Sequence, residues 1–310
     1  MQQRLFKQVD VFTATPYFGN PVAVVHDASG LDDEAMQRFA RWTNLSETCF
    51  LSAPTDPQAD YRVRIFTPGG ELPFAGHPTL GSCHSWLQAG GQPRRAEVIV
   101  QECGIGLIRI HRQALAASGQ QLAFAAPPVK RSAIDPALLA EVAQALGLQD
   151  AQILAAQMLD NGPRWLALLL DSPETVLQLT PDHPALANLQ VKVGVAAFYP
   201  PPETPPLIGR RNREARAFGQ GPAPLLSDAP DLEVRAFAAC IGIPEDPVTG
   251  SLNASLAQWL MAQGHAPERY RVSQGVCLGR AGQLHIERDA SGQVWVGGES
   301  VTCVEGVVML

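Results

Sequence analysis

The chain has 310 residues, enough for two domains and a sizeable core. Hydrophobic residues are 46% and charged residues 17%, a globular balance rather than a disordered one, and aromatics are only 6%, so aliphatic side chains must carry most of the core. A net charge of −7 argues against a nucleic-acid binder, and no run of 18 apolar residues offers a membrane span, which leaves a small-molecule enzyme as the starting expectation.

The opening residues lead straight into a strand with no apolar leader, so a cytoplasmic protein is expected. Lys7–Phe12 and Pro21–His26 read as strands around a turn. Leu31, Ala35, Phe39 and Trp42 recur at helical spacing, and Asp32, Asp33 and Glu34 favour a helix start there. Thr48–Ser52 and Tyr61–Phe66 are strand-like. Pro78–Leu87 is a helix candidate ended by Gly90 and Gly91, and strands follow at Glu97–Gln101, Gly106–His111 and Gln121–Ala125. Pro127 and Pro128 mark a break, the expected boundary between domains of about 1–127 and 128–300, with a last strand near 301–310 returning to the first.

Asp135–Gly147 is the best-punctuated helix. Asp135 caps it, Pro136 fits its first position and Gly147 fits its end. Trp165–Leu170, Val191–Tyr199 and Leu232–Ala238 read as strands. Between the last two, 200–230 holds eight prolines and Arg210, Arg211, Arg213 and Arg216 without periodicity, which reads as a long surface loop. Ser251–Gln263 is a helix ended by Gly264, and short strands run on to Leu310.

Two stretches repeat in order at nearly one offset. ValArgIlePhe (63–66) returns as ValArgAlaPhe (234–237), and HisProThrLeuGlySer (77–82) as AspProValThrGlySer (246–251); each then runs into an apolar helix with a tryptophan, Trp86 or Trp259. A period this long indicates a duplicated domain rather than a solenoid. Each copy leads a strand through a turn into a helix start, where unpaired N–H groups and partial positive charge gather. Two such starts facing one another would make a site for a small carboxylate. Taken singly, Gly81, Ser82, Gly250 and Ser251 are ordinary packing and capping residues; the pair favours the site.

Glu47 follows a helix at the mouth of an apolar strand, where a partly desolvated carboxylate suits acid/base work, although a surface or capping glutamate is the plainer reading of its position. His77 and Asp246 hold matching positions before the two helices and could share a proton, with Glu71 and Glu245 as alternatives in the same loops. His77 and His84 lack a third ligand at metal-site spacing, so no metal is expected. No P-loop or dinucleotide fingerprint is present. The six cysteines include no Cys-x-x-Cys pair and read as free thiols, and Cys49, Cys83 and Cys240 lie in apolar runs, which makes a thiol nucleophile weak.

At these residues the sequence resembles the phenazine-biosynthesis isomerase family, the PhzF-like proteins. The segments that carry the resemblance are AspValPheThr (10–13), PheGlyAsnProValAlaVal (18–24), AsnLeuSerGluThrCysPhe (44–50), the long run 64–81, GluAspProValThrGlySer (245–251), SerGlnGly (273–275) and GlyArg (279–280). It implies an α+β, diaminopimelate-epimerase-like fold of two similar domains, each a curved, mostly antiparallel sheet wrapped around a central helix. It also implies a cofactor-independent isomerase, usually a homodimer, that moves a proton on a small carboxylic acid; the family includes the isomerase acting on dihydro-3-hydroxyanthranilate. By the same resemblance Glu47 is the catalytic acid/base, with His77 and Asp246 beside it, and Asn20, Gly76, Pro78, Thr79, Thr249, Gly250 and Ser251 bind substrate. Related epimerases and racemases use a cysteine at each turn. Segments 73–82 and 244–251 contain none, which sets a thiol-dependent epimerase apart as an alternative, as is a non-catalytic anion-binding protein of the same fold.

Overall fold

The computed structural model describes residues 1–115, 119–200 and 229–310. Among them are seventeen strands and six α-helices, and the strands form one hydrogen-bonded network. The chain runs through β1 (Gln3–Val11), β2 (Asn20–Val25), α1 (Asp33–Thr43), β3 (Thr48–Ser52), β4 (Tyr61–Thr67), β5 (Gly70–Leu72) and α2 (Gly76–Gln88). It continues through β6 (Val98–Cys103), β7 (Gly106–Leu115), β8 (Gly119–Ala125), β9 (Lys130–Ser132), α3 (Pro136–Leu146), β10 (Ile153–Asp160), β11 (Arg164–Leu170), α4 (Pro173–Gln178), α5 (His183–Asn188) and β12 (Lys192–Phe198). After the undescribed segment come β13 (Leu232–Ala238), β14 (Ile243–Asp246), α6 (Gly250–Ala262), β15 (Arg269–Gln274), β16 (Gly282–Arg288) and β17 (Val294–Met309).

The strands follow side-chain alternation. In β4, Tyr61, Val63 and Ile65 are buried while Arg62 and Arg64 point to the wetter face. β17 joins the network's parts. Its first residues pair with β16 on one edge and β8 on the other, and Ser300–Met309 then pairs antiparallel with β1.

The helices divide into two kinds. α1 buries only Met36 and Ala40 and lies on the outside, packed with Val25, Phe50 and Phe66. α3, α4 and α5 likewise cover β11 and β12 from outside. α2 and α6 are buried nearly throughout, because small and apolar residues occupy every side of both. α2 touches β1, β2, β3, β6, β8 and β17, and α6 touches β10 and β17. Burying a residue such as Leu80 or Leu256 there contributes about 1.5–3 kcal/mol.

α3 matches its sequence punctuation at both ends: Asp135 accepts from the Ala137 N–H and Gly147 takes the left-handed conformation at φ 70°. α2 starts two residues earlier than the spacing predicts, at Gly76, and α6 one residue earlier, at Gly250. β5, β9, β10, β14, α4 and α5 were not expected from the sequence. Arg210, Arg211, Arg213 and Arg216 lie outside the described residues. No helix among the described residues is long and apolar enough to cross a membrane.

Candidate active site

Four of the six helices are closed at their N-termini by a side chain. Asp32, Asp135, Ser172 and Asp182 each accept from an N–H of the helix they open. α2 and α6 differ. Their caps, Ala75 and Thr249, make no such bond, and neither helix has an acidic residue in its first turn. Both starts therefore keep their unpaired N–H groups and partial positive charge.

These two starts meet. A Cβ on Gly76 would lie 3.0 Å from Gly250 Cα, and one on Gly250 would lie 3.0 Å from Gly76 Cα and 3.1 Å from the His77 nitrogen. Only glycine at both positions permits this approach of two backbones. The donors on offer are fewer than the sequence suggests. Pro78 has no N–H. The Thr79 N–H bonds the Ala75 carbonyl at 3.2 Å, and its hydroxyl bonds that carbonyl at 2.9 Å and accepts from Gln101 Nε2 at 3.0 Å. Thr79 thus braces α2 instead of facing the cleft, and Pro78 contributes backbone shape alone. Gly76, His77, Gly250, Ser251 and Leu252 keep N–H groups that their helices do not use.

The titratable groups converge beside this contact. The turn after α1 brings Glu47 to within 3.1 Å of His77 (Oε2 to Nε2), and both side chains are largely buried, at 13% and 5% exposure. The two atoms are close but not aligned for a hydrogen bond, so both are left without a hydrogen-bond partner. Asn20, fully buried at the start of β2, stands between His77 and Asp246. Its Nδ2 reaches Asp246 Oδ1 at 2.8 Å, the Val248 carbonyl at 2.9 Å and His77 Nδ1 at 3.4 Å. An amide nitrogen has two protons, and the two shorter contacts take them. The Pro21 carbonyl also lies against the His77 ring, and Nε2 faces Glu47. The expected direct proton sharing between His77 and Asp246 is not made, because Asn20 stands between them and gives its two protons to Asp246 and the Val248 carbonyl. The alternatives Glu71 and Glu245 do not join the cluster. Each is held in a two-pronged pair, Glu71 by Arg64 and Glu245 by Arg235.

Thr249 is tied into the loop: its hydroxyl donates to Asp246 Oδ2 at 2.6 Å and its N–H to Gln274 Oε1 at 3.0 Å. Ser251 Oγ accepts from the Trp165 indole N–H at 3.3 Å, which leaves its own O–H to donate elsewhere. Three residues not expected from the sequence also reach this place: Trp165, Gln274 and Asn161, whose Nδ2 donates to the Ser251 carbonyl at 3.0 Å. Gln274 lies within the SerGlnGly segment; Trp165 and Asn161 come from β11 and the turn before it, with no local signal. Ser251→Ala removes one hydroxyl donor, and we expect it to weaken binding of a small carboxylate about tenfold by calorimetry. Unchanged affinity would remove Ser251 from the site.

Burial pushes the Asp246 carboxyl up to about 6, with Glu47 adding to the rise, while His77, Thr249 and Asn20 pull the other way. Burial alone would lower His77, but the facing Glu47, then Asp246 and the Pro21 carbonyl, together hold it above its ordinary value. Both shifts give stability the same sign. Between about pH 4 and 6 the native state binds more protons at Asp246 than the unfolded chain, so stability falls as pH rises through that window. The His77 contribution is fully present below about 6.5 and is lost as pH rises through its raised value. Urea unfolding should show Asp246→Asn flattening the lower window by an amount on the order of 3 kcal/mol. Equal slopes in the two proteins would show that burial does not hold Asp246 protonated.

A thiol has little to offer at this place. Burial pushes Cys49 and Cys83 up to about 12, so neither forms a thiolate near neutral pH. Among the described residues no group of three or more His, Cys, Asp or Glu side chains could hold a metal ion. A cavity of about 250 Å³ lies nearby, lined by Thr13, Phe18, Gln283 and His285 among others, but Glu47, His77 and Asp246 do not border it.

A profile of the phenazine biosynthesis-like proteins matches residues 9–306. The fission yeast protein Antisense-enhancing sequence 1 is 33% identical over 99% of both chains. Trans-2,3-dihydro-3-hydroxyanthranilate isomerase of Pseudomonas fluorescens is 31% identical over 97% of this chain and 98% of its own. Among solved structures, a PhzF-family protein of Bacillus anthracis superposes over all of both chains with a TM-score of 0.79 at 20% identity, a likeness of fold.

Proposed function

The chain belongs to the phenazine biosynthesis-like family and is an isomerase, and we propose that it moves a proton between atoms of a small carboxylic acid with Glu47 as the mobile acid/base. The observation that carries this reading is the Glu47 carboxylate oxygen, largely buried and without an aligned partner, beside two uncapped helix starts in contact. A carbon acid gives up its proton slowly, so its base must be close and oriented. The negative charge that develops needs preorganised donors, and the free N–H groups of α2 and α6 are such donors. His77 holds or relays the proton at Nε2. Asp246, Asn20 and Thr249 fix the loop that carries Gly250. One carboxylate that both removes and returns the proton makes a cofactor unnecessary.

We read the molecule as two similar domains, 1–127 with the returning strand near 301–310, and 128–300. Two buried helices of 13 residues, α2 and α6, opening on the same contact support that division. A cytoplasmic homodimer is the corresponding expectation for the assembly. The test of function is incubation in deuterium oxide with trans-2,3-dihydro-3-hydroxyanthranilate and other amino- and hydroxy-carboxylic acids. Deuterium at carbon in the product supports the proton transfer; binding without exchange in every acid points to an anion-binding protein instead.

A further inference from the structure

Asn161 occupies the turn between β10 and β11, is 7% exposed, and donates through Nδ2 to the Ser251 carbonyl in the first turn of α6. That bond fixes which way the amide points. An amide turned over would set its oxygen against the carbonyl oxygen, so the nitrogen end must face Ser251 and the oxygen end is the free one. Oδ1 is buried and has no hydrogen-bond partner. Leaving a buried acceptor unpaired is costly, so such a group calls for an explanation. Asn20 repeats the arrangement: Nδ2 is engaged, by Asp246 and Val248, and Oδ1 is buried without a partner. Both carboxamides thus have the nitrogen bound to α6 or the loop that leads into it and the oxygen unpaired.

We propose that Asn161 is a specificity residue whose Oδ1 accepts a hydrogen bond from an amino or hydroxyl group on the substrate, while the two helix starts hold the carboxylate. This rests on the carboxylate cleft proposed above. A site with a buried acceptor discriminates strongly against a ligand that lacks the donor, because the acceptor is then sealed off from water unpaired. The substrates selected are carboxylic acids that carry a donor near the carboxylate, over their plain analogues.

The test compares anthranilate with benzoate by calorimetry, on wild type, Asn161→Ala and Asn161→Ser, with circular dichroism to confirm folding. Serine keeps a small polar side chain but carries neither the amide oxygen nor the amide nitrogen. The wild-type protein should bind anthranilate about tenfold more tightly than benzoate. Both variants should bring the ratio to near one. A ratio that persists in the variants, or affinities for the two acids that fall together, overturns the proposal; the second result means that Asn161 only braces α6. Equal wild-type affinity for the two acids also overturns it. A wild-type protein that binds neither acid overturns the carboxylate cleft and, with it, this role for Asn161.

Discussion

Glu47→Gln is expected to lower turnover by about 10²–10⁴-fold while the circular dichroism spectrum stays unchanged, the range usual for loss of general acid/base help. The choice among the three titratable groups follows from their partners. Asp246 has both carboxylate oxygens engaged, one by Thr249 and one by Asn20, so a proton arriving there would displace a structural hydrogen bond. His77 is fixed by its neighbours at Nδ1 and faces Glu47 through Nε2. Glu47 alone presents a buried oxygen with no aligned donor, at the end of a loop rather than inside a helix. A carboxamide has nearly the same shape but neither accepts nor returns a proton at neutral pH. The variant should therefore still bind a carboxylate inhibitor with wild-type affinity while deuterium incorporation at carbon disappears. If it keeps near-normal turnover on a confirmed substrate, Glu47 is not the base, and the same assay on His77→Asn and Asp246→Asn decides between the others.

The parts of this molecule governed by neighbouring residues were legible in its sequence. The caps of α3 and the strand character of β4 depend on contacts a few residues long, and both stand in the structure as expected. The repeated turn pointed to two helix starts but not to their register: Gly250–Ser251 opens α6, whereas Gly81–Ser82 lies more than a turn inside α2, with Gly81 packed on Val11 and Val22, and it is Gly76 that opens α2 against Gly250. α4 and α5 left signals that went unread: Ser172–Pro173 and Asp182–His183–Pro184 each place a cap before a proline in the first turn. β10 reads poorly because its burial does not alternate cleanly. Partnership across the fold is a different matter. Nothing local in the segment around Asn161 says that its amide will meet Ser251, since the contact spans 90 residues. Glu71 and Glu245 stood as alternatives in the same loops as His77 and Asp246, and the arginines brought to them by β4 and β13 remove them from the site. Thr79 looked like a substrate contact until its helix used both of its donors.

Gly250→Ala is expected to lower kcat/KM about 10²-fold, more than Ser251→Ala, although it removes no functional group. The added methyl would lie 3.0 Å from Gly76 Cα, 3.1 Å from the His77 nitrogen and 3.2 Å from the Gly76 carbonyl carbon. All three are backbone atoms, so no side chain can rotate aside, and the two helix starts must separate by a few tenths of an ångström or more. Their N–H groups then no longer converge on one anion, and His77 shifts relative to Glu47. Displacements approaching 1 Å between reacting groups cost on the order of 10²-fold in rate. Overpacking of this kind also destabilises a fold, typically by about 1–3 kcal/mol, which a thermal melt will register. The neighbouring comparison is Gly76→Ala. Its closest contact is the Phe124 ring, at 2.8 Å, in the buried core under α2, so it should cost stability at least as much as it costs rate. The two variants together separate the roles of the contact. Loss of rate in a Gly250→Ala protein that remains folded at the assay temperature means that the helix-to-helix approach sets the geometry of the site. Wild-type kinetics in a folded Gly250→Ala would mean that the starts work independently, and the anion would then have to be held by one helix alone.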